Sequence, residues 1–182
     1  MSASGFSGRQ TPGFPRLEHR TLPDAPAHPD LYSFSQIVTV TAKGSSLTRA
    51  RIILAEDYPE MAQQLRALLD THYDVRVVPD GQALIAAADQ EMPDIIISDI
   101  KMPGLDGLAA ALNIRAKRSD VPFVFVSVRD DPGVIRTALA QGASGYVVKC
   151  DAGEELADAV EAVLSGDKYV STTAQRALRS ES

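Results

Sequence analysis

From Arg49 onward, short continuous apolar runs are separated by longer stretches in which apolar residues recur at helical spacing. Arg51-Ile52-Ile53-Leu54-Ala55-Glu56 is the first such run and reads as a buried strand. A helix follows, with Asp57 near its cap and Pro59 suited to its first turn, where the missing N–H costs nothing. Its apolar positions Met61, Leu65, Leu68 and Leu69 fall on one face. The same reading predicts a strand over Val75 to Val78 and a helix over Gln82 to Glu91. A third strand over Asp94 to Ser98 precedes a helix over Gly107 to Lys117. A fourth strand over Pro122 to Val128 is followed by a helix over Gly133 to Gln141, and Gly145 to Val148 is the fifth strand. The last helix, about Gly153 to Leu164, carries Leu156, Val160, Val163 and Leu164 on one stripe and stops at Ser165-Gly166.

Strands alternating with helices imply an α/β fold: a doubly wound five-stranded parallel sheet with five helices on its two faces, because each crossover is right-handed. In such sheets the functional crevice lies beyond the carboxyl ends of the strands. The polar residues at those ends are Glu56 and Asp57 after strand one, Asp99 after strand three, Ser127 near the end of strand four and Lys149 after strand five. Any one of them alone is an ordinary polar strand end. Together they converge on one place.

Residues 1–48 differ. Five of the eleven prolines fall within the first 30 positions, among Ser, Thr and Gly, with no sustained apolar period. Such a segment buries too little surface to offset its ordering entropy, so an irregular N-terminal extension is predicted. Within it only Ser35 to Thr41 has strand character. The extension reads as a spacer, an upstream start or a docking tail, the first two being the simpler explanations. His19 and His28 lie there without partners at ligand spacing and make no metal site. The folded domain is therefore expected over 49–171, and 172–182 is read as a C-terminal tail.

Composition narrows the function. A net charge of −6 opposes a nucleic-acid surface. The single cysteine, Cys150, forms no internal disulfide and fits a reducing cytoplasm, and is read as an ordinary small residue near a strand end. No signal peptide and no membrane span are evident, so a soluble, cytoplasmic protein is expected.

Carboxylates gathered in one crevice repel, and a hard cation with oxygen ligands, Mg²⁺, relieves that repulsion while bridging to phosphate. An Asp can also be the nucleophile that forms an acyl phosphate. Lys149 would supply a cation and Ser127 a hydroxyl for the phosphoryl oxygens, as a loose transition state requires.

These residues carry a resemblance. Asp99-Ile100-Lys101-Met102-Pro103-Gly104-Leu105-Asp106-Gly107 resembles the phosphoacceptor loop of response-regulator receiver domains of the CheY-like superfamily. Leu54-Ala55-Glu56-Asp57 resembles the acidic pair of that family, Ser127 its hydroxyl position, and Gly145 to Lys149 its aromatic switch and lysine. The likeness covers about Arg51 to Ser171. It implies strand order 2-1-3-4-5 and a two-component response regulator, phosphorylated on Asp99 by a histidine kinase or phosphotransfer partner. It further implies Mg²⁺ held by Asp57, Asp99 and the main-chain carbonyl of Lys101, with Glu56 assisting. Lys149 and Ser127 would grip the phosphoryl group. Ser127 moving inward would let Tyr146 turn in and change the face of helix four, strand five and helix five, a homodimer or partner surface. No enzymatic activity beyond the domain's own phosphoryl transfer and dephosphorylation is implied.

Gly142 to Tyr146 and Gly166 to Ser171 resemble the NarL/FixJ-type branch, which usually continues into a helix-turn-helix domain. Only eleven residues follow Ser171, too few for such a reader. Either a stand-alone receiver or a chain cut before its output domain is expected. The sequence departs from the family at Val128, where Ala or Gly is usual; its bulk is expected to narrow access to Asp99. Lys101 and Arg129 flank the site at positions that tune phosphate lifetime, with no direction assigned. The alternative reading is a phosphorylation-independent protein-binding module on the same fold, against which the intact acidic set argues. A haloacid-dehalogenase-type phosphatase needs a second Asp where Lys101 stands. A flavodoxin-like cofactor binder would not place the acidic Glu56-Asp57-Tyr58-Pro59-Glu60 beside a phosphate.

Overall fold

The computed structural model describes residues 48–180. Ser35 to Thr41, His19 and His28 lie outside them. The elements run β1 (Arg51–Ala55), α1 (Pro59–Leu69), β2 (Asp74–Val78), α2 (Gly81–Gln90), β3 (Ile95–Ser98), α3 (Gly107–Lys117), β4 (Phe123–Ser127), α4 (Pro132–Ala140), β5 (Gly145–Val148), a 3-10 turn (Lys149–Asp151), α5 (Ala152–Leu164), β6 (Tyr169–Val170) and α6 (Thr172–Ser180).

All strands pair in parallel, in the order β2-β1-β3-β4-β5-β6. The predicted order 2-1-3-4-5 is present, and β6 extends it by one strand beyond β5. Five strands and five helices were expected; six strands and six α-helices are found among the described residues. A two-residue strand has no period to detect, and β6 exists only because Gly145 and Tyr146 offer an edge for Tyr169 and Val170. The segment read as a C-terminal tail contains α6. Its apolar residues Ala174, Ala177 and Leu178 pack on the core cluster that also holds Tyr146 and Ile135, so tertiary burial makes this short helix.

The interior has two layers, one on each sheet face. One includes Ile53, Ala55, Ile96, Phe123, Phe125, Tyr146 and Val148 with α2, α3 and α4. The other includes Ile52, Leu54, Ile95, Ile97, Val124, Val126 and Val147 with α1 and α5. The period-2 split of each apolar run between the layers is what a doubly covered strand requires. In α1 the inward face is Ala62, Leu65 and Leu69. Leu68, expected on that stripe, is exposed, and Met61 is only half-buried.

Aspartates start three helices. Asp80, Asp106 and Asp131 accept from the backbone N–H of Ala83 at 2.8 Å, Ala109 at 2.7 Å and Val134 at 3.0 Å. Each satisfies a donor that the first helical turn leaves orphaned. Helix α1 differs: Tyr58 occupies the cap position without a side-chain bond, leaving the Asp57 carboxylate for the crevice. Among the described residues no helix is long and apolar enough to cross a membrane.

Candidate functional site

The polar strand ends stand where the sheet predicts. Strands β1, β3 and β5 end at Ala55, Ser98 and Val148, and Glu56, Asp99 and Lys149 follow directly; Ser127 is the last residue of β4. The adjacent β1 and β3 bring the first two together, with Asp99 N–H donating to the Ala55 carbonyl at 2.8 Å. Carboxylate oxygens of Glu56, Asp57 and Asp99 lie within 4.8 Å of one another. Lys149 reaches across from β5.

Its ammonium donates to Asp99 Oδ2 at 2.6 Å and lies 2.7 Å from Glu56 Oε2. The three side chains are nearly closed to solvent, at 8% for Lys149, 8% for Asp99 and 1% for Glu56. Asp57 is exposed at the crevice mouth. Asp99 Oδ1 accepts the Lys101 N–H at 3.2 Å, and Glu56 Oε1 accepts the Tyr58 N–H at 3.3 Å. Glu56 Oε2 receives no well-directed hydrogen bond despite its buried position. Its contact with Lys149 is ionic in character, and the oxygen retains acceptor capacity.

Burial pushes the Glu56 carboxyl up from its ordinary range; Lys149 pulls it back, and the Asp99 charge adds to the rise. Burial alone would lower the Lys149 ammonium, but its bonds to Asp99 and Glu56 outweigh that and raise it. Three carboxylates therefore face a single, firmly protonated ammonium, and the pocket stays net negative. This donor set fits a hard divalent cation: oxygen ligands only, an excess of negative charge, and a buried Glu56 carboxylate oxygen whose close polar neighbour is the Lys149 ammonium.

Ser98 and Gly107 support the loop. Ser98 Oγ donates to the Asp99 carbonyl at 2.7 Å. A Cβ on Gly107 would stand 2.0 Å from that same carbonyl oxygen, so only glycine lets α3 start so close to the Asp99 backbone. Ser98 was not singled out from sequence, and Gly107 was read only as the end of the loop motif and the start of a helix, not as a residue whose missing side chain makes room for the Asp99 carbonyl. Gly104, at φ 74°, makes the turn that returns the loop to α3.

Ser127 is fully buried, and its hydroxyl accepts weakly from Arg129 N–H at 3.4 Å. The Tyr146 ring is also fully buried, with its hydroxyl donating to the Arg129 carbonyl at 2.8 Å. Burial pushes this phenol up to about 12. Tyr146 thus occupies an inward position and pins the loop after β4. Lys101 is exposed, and Lys101 and Arg129 line a cavity of about 510 Å³ together with Ile100, Leu108 and Val134. Val128 is 70% exposed and Cys150 is exposed in the 3-10 turn.

Residues 52–161 match the sequence profile of the family described as Response regulator receiver domain, more than half of the chain. The protein belongs to this family. Among relatives of the receiver, the transcriptional regulatory protein TrcR of Mycobacterium tuberculosis is 33% identical over 132 residues, 71% of this chain and 51% of its own. DesR of Bacillus subtilis is 32% identical over 133 residues, 71% of this chain and 66% of its own length. Protein PilH of Pseudomonas aeruginosa is 34% identical over 120 residues and matched over 99% of its length. The chain spans little more than half of several of the transcriptional regulators it matches. Among solved structures, a LuxR-family two-component response regulator from Aurantimonas sp. SI85-9A1 superposes with a TM-score of 0.70 at 28% identity, covering 74% of this chain and 98% of that chain. The Vibrio cholerae chemotaxis protein CheY4 gives 0.59 at 26% identity over 63% of this chain and 98% of its own. The family, the doubly wound fold and the two-component signalling context expected from sequence are thereby shown.

Proposed function

We propose that this receiver stores a signal as an acyl phosphate on Asp99, supplied by a histidine kinase or phosphotransfer protein. The observation that carries this reading is the contact of Lys149 with both Asp99 and Glu56 at the shared carboxyl edge of the sheet. In the attack, the Asp99 carboxylate oxygen bonds to phosphorus while the bond from phosphorus to the donor's leaving group breaks. Lys149 changes partner, from the Asp99 carboxylate to a phosphoryl oxygen, so no buried cation is stranded. The Ser127 hydroxyl and the N–H groups after Asp99 supply further donors.

Asp57, Asp99, Glu56 and the main-chain carbonyl of Lys101 are the residues that would hold Mg²⁺. When bound, that ion offsets the negative charge that three carboxylates would present to an incoming phosphate. Arg129 links the phosphoryl site to the Tyr146 hydroxyl through one residue of backbone. Occupancy at Ser127 can thus be read at Tyr146, as a two-state equilibrium biased by new charge. The unit that switches runs over 49–171. Helix α6 packs on α4 and β5, so a homodimer or partner surface expected on α4, β5 and α5 includes α6. The reading assigns no turnover of a separate substrate and no direct nucleic-acid contact to these residues, and it places the reaction in the cytoplasm. Val128, beside Ser127, partly screens the approach to Asp99 in this account.

Intact mass spectrometry after incubation with Mg²⁺ and acetyl phosphate tests it. One Mg²⁺-dependent phosphoryl adduct, lost in Asp99→Asn, is the expected result. An adduct that persists in Asp99→Asn, or Mg²⁺ binding undetectable with no adduct, contradicts it; the latter favours the phosphorylation-independent binding module.

A further inference from the structure

Lys149 lies between two residues that the C-terminal segment holds. On one side is Val148, the last residue of β5. In the parallel ladder of β5 with β6, Ser171 N–H donates to the Tyr146 carbonyl at 2.9 Å. Continuing that ladder would set the Ser171 carbonyl against the Val148 N–H. Instead the Ser171 carbonyl turns away and accepts from Gln175 N–H at 2.8 Å, opening α6. The Ser171 side chain takes the vacated rung: its hydroxyl accepts from Val148 N–H at 3.1 Å, and the residue is fully buried.

On the other side is Asp151, which closes the 3-10 turn that Lys149 begins. Its carboxylate accepts from Thr173 N–H at 3.0 Å and from the Thr173 hydroxyl at 2.8 Å. Burial disfavours its charge, but the hydroxyls of Ser171 and Thr173 and the Thr173 N–H overcome this and hold the carboxyl below its ordinary value. Glu155 adds a second clamp by accepting from Thr172 N–H at 3.1 Å. The first turn of α6 is therefore capped by carboxylates from the segment that carries the lysine.

We propose that Ser171 and Thr173 are positioning residues for phosphoryl transfer, holding Val148 and Asp151 so that the Lys149 ammonium stays aimed at Asp99. The proposal rests on Asp99 being the acceptor. A lysine has four rotatable bonds and a weakly directional head. Its reach across to β3 depends on where its backbone stands, and two side-chain bonds on one element fix that backbone from both flanks.

The test is a mutant cycle in the full chain, reading both the rate constant of phosphorylation by acetyl phosphate at saturating Mg²⁺ and the Mg²⁺ dissociation constant. Ser171→Ala slows phosphorylation about three- to tenfold, the worth of one hydrogen bond, and leaves Mg²⁺ affinity within about twofold because the carboxylates are untouched. Ser171→Thr, which keeps the hydroxyl, restores the rate. In a Lys149→Ala background, Ser171→Ala adds no further loss, as residues acting through one group require. Thr173→Val, run through the same cycle, replaces Ser171→Ala if the latter fails to unfold cooperatively. An unchanged rate in Ser171→Ala or Thr173→Val, an equal loss with Lys149 absent, or a parallel fall in Mg²⁺ affinity overturns the proposal. A wild-type chain that takes up no phosphoryl group overturns the acceptor reading and this one with it. A phosphorylated wild type with indifferent variants overturns this one alone.

Discussion

Lys149 Nζ stands 2.6 Å from Asp99 Oδ2, although fifty residues separate the two along the chain. The parallel order of the sheet brings them together, since β3 and β5 flank β4 and all three end on the same edge. The pair is nearly dry, and Glu56 shares the same ammonium.

Removing that ammonium strands two buried carboxylates. Lys149→Ala is expected to cost about 3 kcal/mol of stability near neutral pH, the scale for breaking a buried ion pair from one side. Glu56 is already raised by burial, so losing Lys149 raises it further. A group with a raised folded pKa contributes stability below its unfolded value and loses it as pH rises. The variant's deficit is therefore smaller below about pH 4.5 than at pH 7. Urea melts at the two pH values check the sign.

Mg²⁺ binding to the folded carboxylate cluster stabilises the protein by mass action. At a concentration one hundred times its dissociation constant the gain is about 2.7 kcal/mol. Asp57→Asn, which removes an exposed member of the cluster, weakens the ion's grip without emptying the core. Thermal melts with and without Mg²⁺ show a shift in the wild type and a smaller one in the variant. Chelation with EDTA reverses both.

Gly107→Ala drives a methyl into the Asp99 carbonyl and the Ser98 hydroxyl, 2.0 and 2.7 Å away. Either α3 or the Asp99 loop moves. The expected cost is about 2–3 kcal/mol, the range for overpacking against backbone. Phosphorylation slows as well, since the nucleophile shifts with its main chain. Gly153→Ala, where added bulk meets nothing within 4 Å, is the matched control and leaves both properties in place.

Among the described residues, burial raises Tyr73, Tyr146 and Tyr169, and the last two resist ionisation most. Burial pushes Tyr146 up to about 12, and burial with the neighbouring Glu155 does the same for Tyr169. Their contribution to stability is complete below pH 10 and is lost as pH climbs through about 12. Absorbance at the phenolate band shows the effect as a late step, and each of Tyr146→Phe and Tyr169→Phe removes part of its amplitude. A step finished by pH 10 contradicts the burial of Tyr146 and the pairing of half-buried Tyr169 with Glu155.

Much of this was legible in the chain itself. Ile95-Ile96-Ile97 and Phe123-Val124-Phe125-Val126 are apolar without a break, which only strands covered on both faces sustain. That fixes the sheet, and the sheet fixes where Glu56, Asp99, Ser127 and Lys149 meet. The C-terminal end was not legible. Tyr169-Val170 is too short to show a period, and Thr172 to Ser180 is polar along most of its length. Both depend on contacts with β5, α4 and the Asp151 carboxylate that no local pattern announces. Ser171 was therefore read as the last residue before a tail, when its hydroxyl is part of the sheet.

The most direct test of the central claim locates the phosphoryl group chemically. Borohydride reduces an aspartyl phosphate to homoserine, releasing phosphate and leaving a permanent mark in the chain. After incubation with Mg²⁺ and acetyl phosphate, reduction and peptide mass spectrometry, the account predicts homoserine at position 99 alone, and none when Mg²⁺ is omitted. Homoserine at Asp57 or elsewhere, or an unmodified Asp99 in a chain that carries phosphate, would contradict it.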